Sequence, residues 1–217
     1  MSEEEIVVVI EKYVRSLCEN EATGHDWWHI KRVYNNAMLI NQKEKANEFI
    51  ITMIAYMHDL YDHKFYDGDI SSKLEDTLKE LEIYDKVPKK DIENIIYSCV
   101  NLGFSANFSE KKELSKEGKI VQDADRLDGL GAMGIARTFA YGGKKGKPIH
   151  NPETAKLVTE EQYQTNGSDT SISHFYDKLL KLKDLMNTDT AKEIAQKRHE
   201  YLEWFLEQFY GEWEGKI

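Results

Sequence analysis

Phe49-Ile50-Ile51-Thr52-Met53-Ile54-Ala55-Tyr56-Met57-His58-Asp59 is the stretch that decides the architecture. Phe49, Ile50, Met53, Ile54 and Met57 recur at i, i+3 and i+4, the spacing of a helix rather than the alternation of a strand. That helix ends close to His58, so a His-Asp pair sits where an apolar rod stops. Upstream, a helix beginning near Asp26 buries Ile30, Val33, Tyr34, Ala37 and Met38 and carries His29. Ser2 and Glu5 form a capping box ahead of Ile6, Val9, Ile10, Tyr13 and Leu17. Downstream, Ser72 and Glu75 box a start followed by Leu74, Leu78 and Leu81, and Pro88 serves as first residue of a helix through Ile92, Ile95, Ile96 and Cys99. Ile120, Val121, Ala124 and Leu127 define a helix carrying Asp125. Gly129, Gly131 and Gly134 allow a bend or close packing, and Gly142-Gly143 stops the segment, leaving 142–152 as a loop. A helix using Ile172, Phe175, Leu179, Leu182 and Met186 follows. The last, capped by Thr188 or Asp189, uses Ile194, Tyr201, Leu202, Phe205 and Phe209. These readings predict an all-α fold in a single domain spanning 1–217, with 153–217 as a C-terminal helical extension.

Composition narrows the class. A chain of 217 residues, 41% hydrophobic and 31% charged with 3 prolines, fits one ordered, well-buried domain. A formal charge of -10 argues against binding duplex nucleic acid, which needs many cationic contacts to phosphates. Cys18 and Cys99 lie within apolar-periodic segments and read as buried thiols of a reducing compartment. The start, Met1-Ser2-Glu3-Glu4-Glu5, is acidic where a signal peptide is basic, and no apolar run reaches membrane-spanning length. A cytoplasmic protein that makes no membrane contact is expected, and a homodimer is allowed.

Chemistry concentrates in Gly24-His25-Asp26-Trp27-Trp28-His29, in His58-Asp59, and in Asp123-Ala124-Asp125-Arg126-Leu127-Asp128. His29, His58, Asp59 and Asp125 together supply two imidazole nitrogens and two carboxylates, a donor set for a divalent metal. Neighbouring helical residues point about 100° apart, so His58 and Asp59 share a target only where the helix ends. The negative end of the helix dipole also favours a cation there. Asp125 lies in an apolar-periodic helix, where an uncompensated carboxylate is costly and a metal is a natural partner. Each residue alone has a plainer reading as a cap, a core hydrogen bonder or a solvated ion pair; the conjunction is what points to a site. His25 and His29 also have the i, i+4 spacing of a zinc-protease helix. Such helices need a glutamate after the first histidine, and this chain has the shorter Asp26.

These motifs resemble the HD-domain superfamily of metal-dependent phosphohydrolases, residue by residue at His29, His58-Asp59 and Asp125. The segment Gly142-Gly143-Lys144-Lys145-Gly146-Lys147-Pro148-Ile149-His150 is similar to one in small stand-alone bacterial members, and the resemblance spans roughly 22–152. It implies a helical HD bundle and hydrolysis of a phosphoester or phosphoanhydride bond in a nucleotide, with nucleoside triphosphate pyrophosphohydrolysis as one form. Binuclear relatives add histidines between the doublet and the last aspartate. Here only His63 lies there, so a single ion is expected, with Asp62, Asp67 and Asp69 near enough in sequence to assist a second. Mixed imidazole and carboxylate ligation suits Mn²⁺ first, with Mg²⁺, Ni²⁺, Co²⁺ and Fe²⁺ as alternatives.

Asp62 follows Asp59 at a place where some related nucleotidases have a glutamate that assists water or the leaving group; the aspartate is one methylene shorter, and an exposed loop acid is the competing reading. Asp26 orients His29 or caps its helix. A polyphosphate needs cationic partners in a chain of this charge, and Lys144, Lys145, Lys147, His150, Arg126 and Arg32 are the candidates. Trp27 and Trp28 are candidates to stack on a base, against the commoner use of tryptophan in packing. A non-catalytic nucleotide- or metal-binding signalling module is the alternative function.

Overall fold

The computed structural model describes residues 1–18, 26–61, 68–103, 112–153 and 167–217. Every regular element among them is helical, as expected. The chain divides into two compact units, 1–124 and 125–217.

The first unit holds α1 (Glu3–Cys18), α2 (Trp27–Glu44), α3 (Glu48–Met57), α4 (Ile70–Glu80), α5 (Lys89–Asn101) and α6 (Lys116–Asp128) as far as Ala124. Its centre is α3, buried at every residue from Ile50 to Met57, with α1, α2 and α5 packed on it. A helix apolar all round has to be enclosed on all sides, and each fully buried Ile or Met contributes about 1.5–3 kcal/mol. Asn47 starts it, its side-chain oxygen accepting from Phe49 N at 3.0 Å and Ile50 N at 3.2 Å. The Ser2–Glu5 box caps α1, with both reciprocal bonds formed. The buried stripe of α1 is Ile6, Ile10, Val14 and Cys18, while Leu17 stays 52% exposed, so the face toward α3 follows an i, i+4 ridge that hydropathy alone places less sharply.

Two helix starts differ from expectation. α4 begins at Ile70, because Asp69 caps it by accepting from Ser71 N at 3.3 Å and Ser72 N at 3.1 Å; a charged acceptor at the positive end of the helix outcompetes the Ser72–Glu75 box. Pro88 stands one place before α5, its carbonyl accepting from Asp91 N at 2.8 Å and Ile92 N at 3.1 Å.

The second unit contains α7 (Gly131–Lys144), α8 (Ser171–Asp177), a 3-10 segment (Leu179–Leu185) and α9 (Asp189–Trp213). The expected loop at 142–152 starts later, because α7 runs through Gly142-Gly143 to Lys144. Glycine is needed at Gly142 for proximity rather than as a stop: a Cβ there would lie 2.1 Å from Ser171 Oγ. Gly134 likewise permits a backbone contact, a Cβ at that position falling 2.2 Å from Gly129 O. The single helix expected over 172–186 is instead α8 followed by the 3-10 segment, broken at Lys178 with φ -134° and ψ -60°. Thr188 caps α9 by accepting from Ala191 N at 3.2 Å. Its buried face is Ala191, Ala195, His199, Leu202 and Leu206, whereas Tyr201 is 46% exposed. Phe139, Phe175 and Phe205 form an aromatic core, with centroids 5.6–6.1 Å apart. Cys18 and Cys99 are buried free thiols. No described helix is long and apolar enough to cross a membrane.

Candidate metal centre

His29 lies in the first turn of α2 and is fully buried. Asp26 Oδ1 accepts from the His29 backbone N at 2.8 Å, so Asp26 caps the helix and fixes the histidine's backbone rather than its ring. His58 terminates α3, its Nδ1 2.8 Å from Ala55 O. A carbonyl only accepts, so in the neutral ring Nδ1 carries the proton and Nε2 the lone pair. Asp59 follows at the open end of α3. Its Oδ2 lies 3.2 Å from His29 Nε2 and 3.5 Å from His58 Nε2, and the two imidazole centroids are 5.5 Å apart. A helix end, and not its middle, allows consecutive residues to converge in this way.

Asp125 stands half-buried on α6, an unbroken helix whose preceding residue is tied to α2 by Asn36 Nδ2 donating to Ala124 O at 3.3 Å.

This geometry fits a cation. His58 Nε2 is buried and makes no hydrogen bond, and with Nδ1–H committed to Ala55 its lone pair faces a carboxylate oxygen. Two acceptors face to face in a desolvated place repel unless a proton or a metal ion lies between them. Sulfur is not in the set. Cys99 Sγ is 3.9 Å from Ile54 O, and burial, reinforced by the Asp59 charge, pushes its thiol well above the usual range, so it stays protonated. The donors are thus nitrogen and oxygen, which suits a harder divalent ion.

The remaining sequence candidates scatter. Arg32 is half-buried on α2, one turn from His29. Arg126 is 8% exposed and gives one guanidinium N–H to the Leu185 carbonyl. Lys144 and Lys145 are exposed at the end of α7, with Lys145 Nζ 5.8 Å above the Tyr141 ring. Lys147 is half-buried and donates to the Ser168 carbonyl. His150 sits edge-on to Phe209, Tyr210 and Trp213 at 5.9, 5.5 and 5.0 Å. These four therefore occupy three different environments, not one glycine-rich cradle. Trp27 is buried against Tyr56 at 5.9 Å, a packing role, while Trp28 is 62% exposed. Asp69 caps α4, and Asp62, His25, His63 and Asp67 lie outside the described residues.

Sequence reading missed Asn36 and the Ala55 carbonyl. Asn36 lies seven residues after His29, nearly two helical turns along the same face, a placement that could have drawn attention to it. The Ala55 carbonyl has no side-chain signal at all. Also unread was the end of α6: Asp128, 1% exposed, accepts from Arg137 Nη1 at 2.7 Å, and Arg198 Nη1 donates to Leu127 O at 2.6 Å.

An all-helical fold with a His, a His-Asp pair and a distant Asp is the arrangement of one family, and the HD domain model matches residues 27–130. The chain belongs to the HD-domain family. YpgQ of Bacillus subtilis is 40% identical over 207 residues, covering 92% of this chain and 89% of that protein. A crystal structure of an HD-superfamily hydrolase from Bacillus thuringiensis is 41% identical with a TM-score of 0.75, covering 98% of this chain and 99% of that one. A Lactobacillus plantarum crystal structure superposes with a TM-score of 0.81 at 35% identity, covering 99% of this chain and 100% of that one. YpgQ has been crystallised in complex with ADP.

Proposed function

We propose that this protein is a metal-dependent phosphohydrolase that uses one divalent ion to cleave a phosphoester or phosphoanhydride bond of a nucleotide. The observation that carries the reading is the buried His58 lone pair turned toward Asp59 Oδ2 at 3.5 Å, with His29 Nε2 on the same oxygen at 3.2 Å. His29, His58, Asp59 and Asp125 are the residues assigned to hold the ion. When bound, a divalent ion polarises a phosphoryl oxygen and makes water a stronger nucleophile at neutral pH.

The chain's own residues supply position and order. Ala55 fixes the tautomer and orientation of His58, Asp26 fixes the first turn that presents His29, and Asn36 holds the backbone beside Asp125. Asp62 is proposed as the proton-transfer carboxylate, on the family resemblance alone. Support for a nucleotide substrate comes from the YpgQ–ADP crystal structure, a relative 37% identical over 98% of this chain. Mn²⁺ is the favoured ion because the donor set mixes imidazole and carboxylate without thiolate.

The test is a panel of nucleoside mono-, di- and triphosphates incubated with the protein and Mn²⁺, with products separated by chromatography. Release of orthophosphate or pyrophosphate that stops on chelation is the expected result. Binding of nucleotides with no product from any of them, at full metal occupancy, would instead identify a non-catalytic signalling module.

A further inference from the structure

We propose that Lys31 is a positioning residue for the metal ligands: held among Trp27, Tyr34 and Tyr56, it pins the end of α3 against the start of α2 and so sets how closely His29 and His58 converge. The inference rests on the metal-dependent reading, since it concerns residues assigned to hold the ion.

All of these groups belong to the first unit. Residues two apart in a helix point to nearly opposite sides, about 200° around the axis. Trp27 and His29 on α2, and Tyr56 and His58 on α3, are two such pairs. Ile30, Val33 and Ala37 lie between the first pair around α2, Met53 and Met57 lie between the second around α3, and all five are buried. The packed seam of the two helices therefore has two flanks. The imidazoles meet along one, with centroids 5.5 Å apart, and the Trp27 and Tyr56 rings meet along the other, at 5.9 Å.

Lys31 completes the second flank. Its Nζ donates to the Tyr56 hydroxyl at 3.2 Å and lies 4.7, 5.7 and 6.0 Å from the ring centres of Tyr34, Tyr56 and Trp27. Tyr34 stacks on Tyr56 at 5.3 Å, and Glu11 of α1 faces the ammonium at 3.6 Å. The ion pair is half-exposed on both sides and contributes little stability, so what the cluster supplies is orientation. Hydrophobic burial along the seam is non-directional, whereas the hydrogen bond to Tyr56 and the cation over the rings are directional. A roll of α3 by about 10° moves a side-chain tip about 6 Å from the helix axis by about 1 Å. A ligand set tolerates about 0.5 Å, so the roll that this cluster fixes is one the histidines cannot do without.

Charge and position predict opposite signs. On charge alone an ammonium near the site opposes a divalent ion, so removing it tightens metal binding. Removing a positioning contact loosens the ligands and weakens binding.

Isothermal titration of the metal-free full-length protein with Mn²⁺ reads that sign. Lys31→Met, which keeps the stem and loses the charge and the donor, should weaken Mn²⁺ binding about tenfold. Tyr56→Phe, which removes only the hydroxyl, should weaken it by a similar factor, and the double variant should bind about as weakly as either single one, because both break one contact. Lys31→Arg, which keeps a cationic donor over the rings, should restore most of the affinity. Lys89→Met, at an exposed lysine paired with Glu93, should change affinity less than about twofold and so controls for net charge. Thermal unfolding checks each variant, and if Tyr56→Phe does not fold, the two Lys31 variants decide. Unchanged or tighter Mn²⁺ binding by folded Lys31→Met overturns the positioning role and leaves the metal-dependent reading intact. A wild-type protein that binds no Mn²⁺ overturns the metal-dependent reading, and the positioning role with it.

Discussion

Both units bury histidines, and the difference lies in what faces them. In the first unit, His29 and His58 direct Nε2 at one largely shielded carboxylate oxygen, Asp59 being 21% exposed. In the second, His199 Nε2 faces Glu203 at 3.4 Å, but that carboxylate is 61% exposed; His150 meets three aromatic rings, and His174 a serine hydroxyl. An exposed glutamate has water as an alternative partner, and a ring edge asks nothing of an imidazole lone pair. Burial of a histidine is thus a packing fact. A committed Nδ1–H and a shielded carboxylate opposite Nε2 make it a candidate ligand for the proposed ion.

The largest test of that contrast is Asp59→Ala. Bound divalent ion, measured by elemental analysis, should be lost, and phosphate release should fall by at least about 100-fold. An Asp59→Ala protein that hydrolyses nucleotides at the wild-type rate would falsify the assignment. His199→Leu, the matching change in the second unit, should leave metal content unaltered; metal lost from a folded His199→Leu protein breaks the distinction between the two sets of histidines.

Next in size comes packing. Leu202, fully buried on α9, should cost about 2–5 kcal/mol when changed to alanine, read by chemical denaturation, while the folded variant keeps its metal stoichiometry. A pair of cap substitutions sharpens the comparison further. Asp26→Ala and Thr188→Ala each remove a helix cap worth about 1 kcal/mol. Only Asp26→Ala loosens the turn that presents His29, so only it should also weaken Mn²⁺ binding, by about tenfold. Equal metal affinity in the two variants would reduce Asp26 to an ordinary cap.

A pH slope sharpens the comparison from the second unit's side. His174 is held at about 3 in the folded protein and titrates near 6.5 when unfolded, so between these values the unfolded chain binds the additional proton. Its contribution to stability is therefore complete above pH 6.5 and declines as pH falls toward 3. Thermal unfolding across that window should show a shallower decline for His174→Gln than for wild type; parallel curves would mean that His174 is not the group responsible.

Much of this was legible in the chain itself. Helical spacing in Phe49–Met57 located α3, and the total burial of its residues explains why the signal was strong. His29, His58, Asp59 and Asp125 stood out because their residue types and order match a known family. Less legible were the ends of elements. Asp69 displaced the Ser72–Glu75 start, and Gly142-Gly143 read as a stop when the helix runs through both and Gly142 is the contact that lets Ser171 approach α7. A glycine that breaks a helix and one that admits a neighbour look alike until the neighbour is in place.

By itself, the sequence determined the helical class and the central apolar helix, because periodicity is a property of local order, and it singled out four candidate metal residues by their types and their order along the chain. Only the tertiary structure decided that His58 has its Nδ1–H tied to Ala55, that both imidazoles meet one oxygen of Asp59, and that Lys147 finds His174 at Ser168 rather than Lys144 and Lys145 in a loop. Those are matters of distance and desolvation between residues remote in the chain, and they exist only once the helices pack.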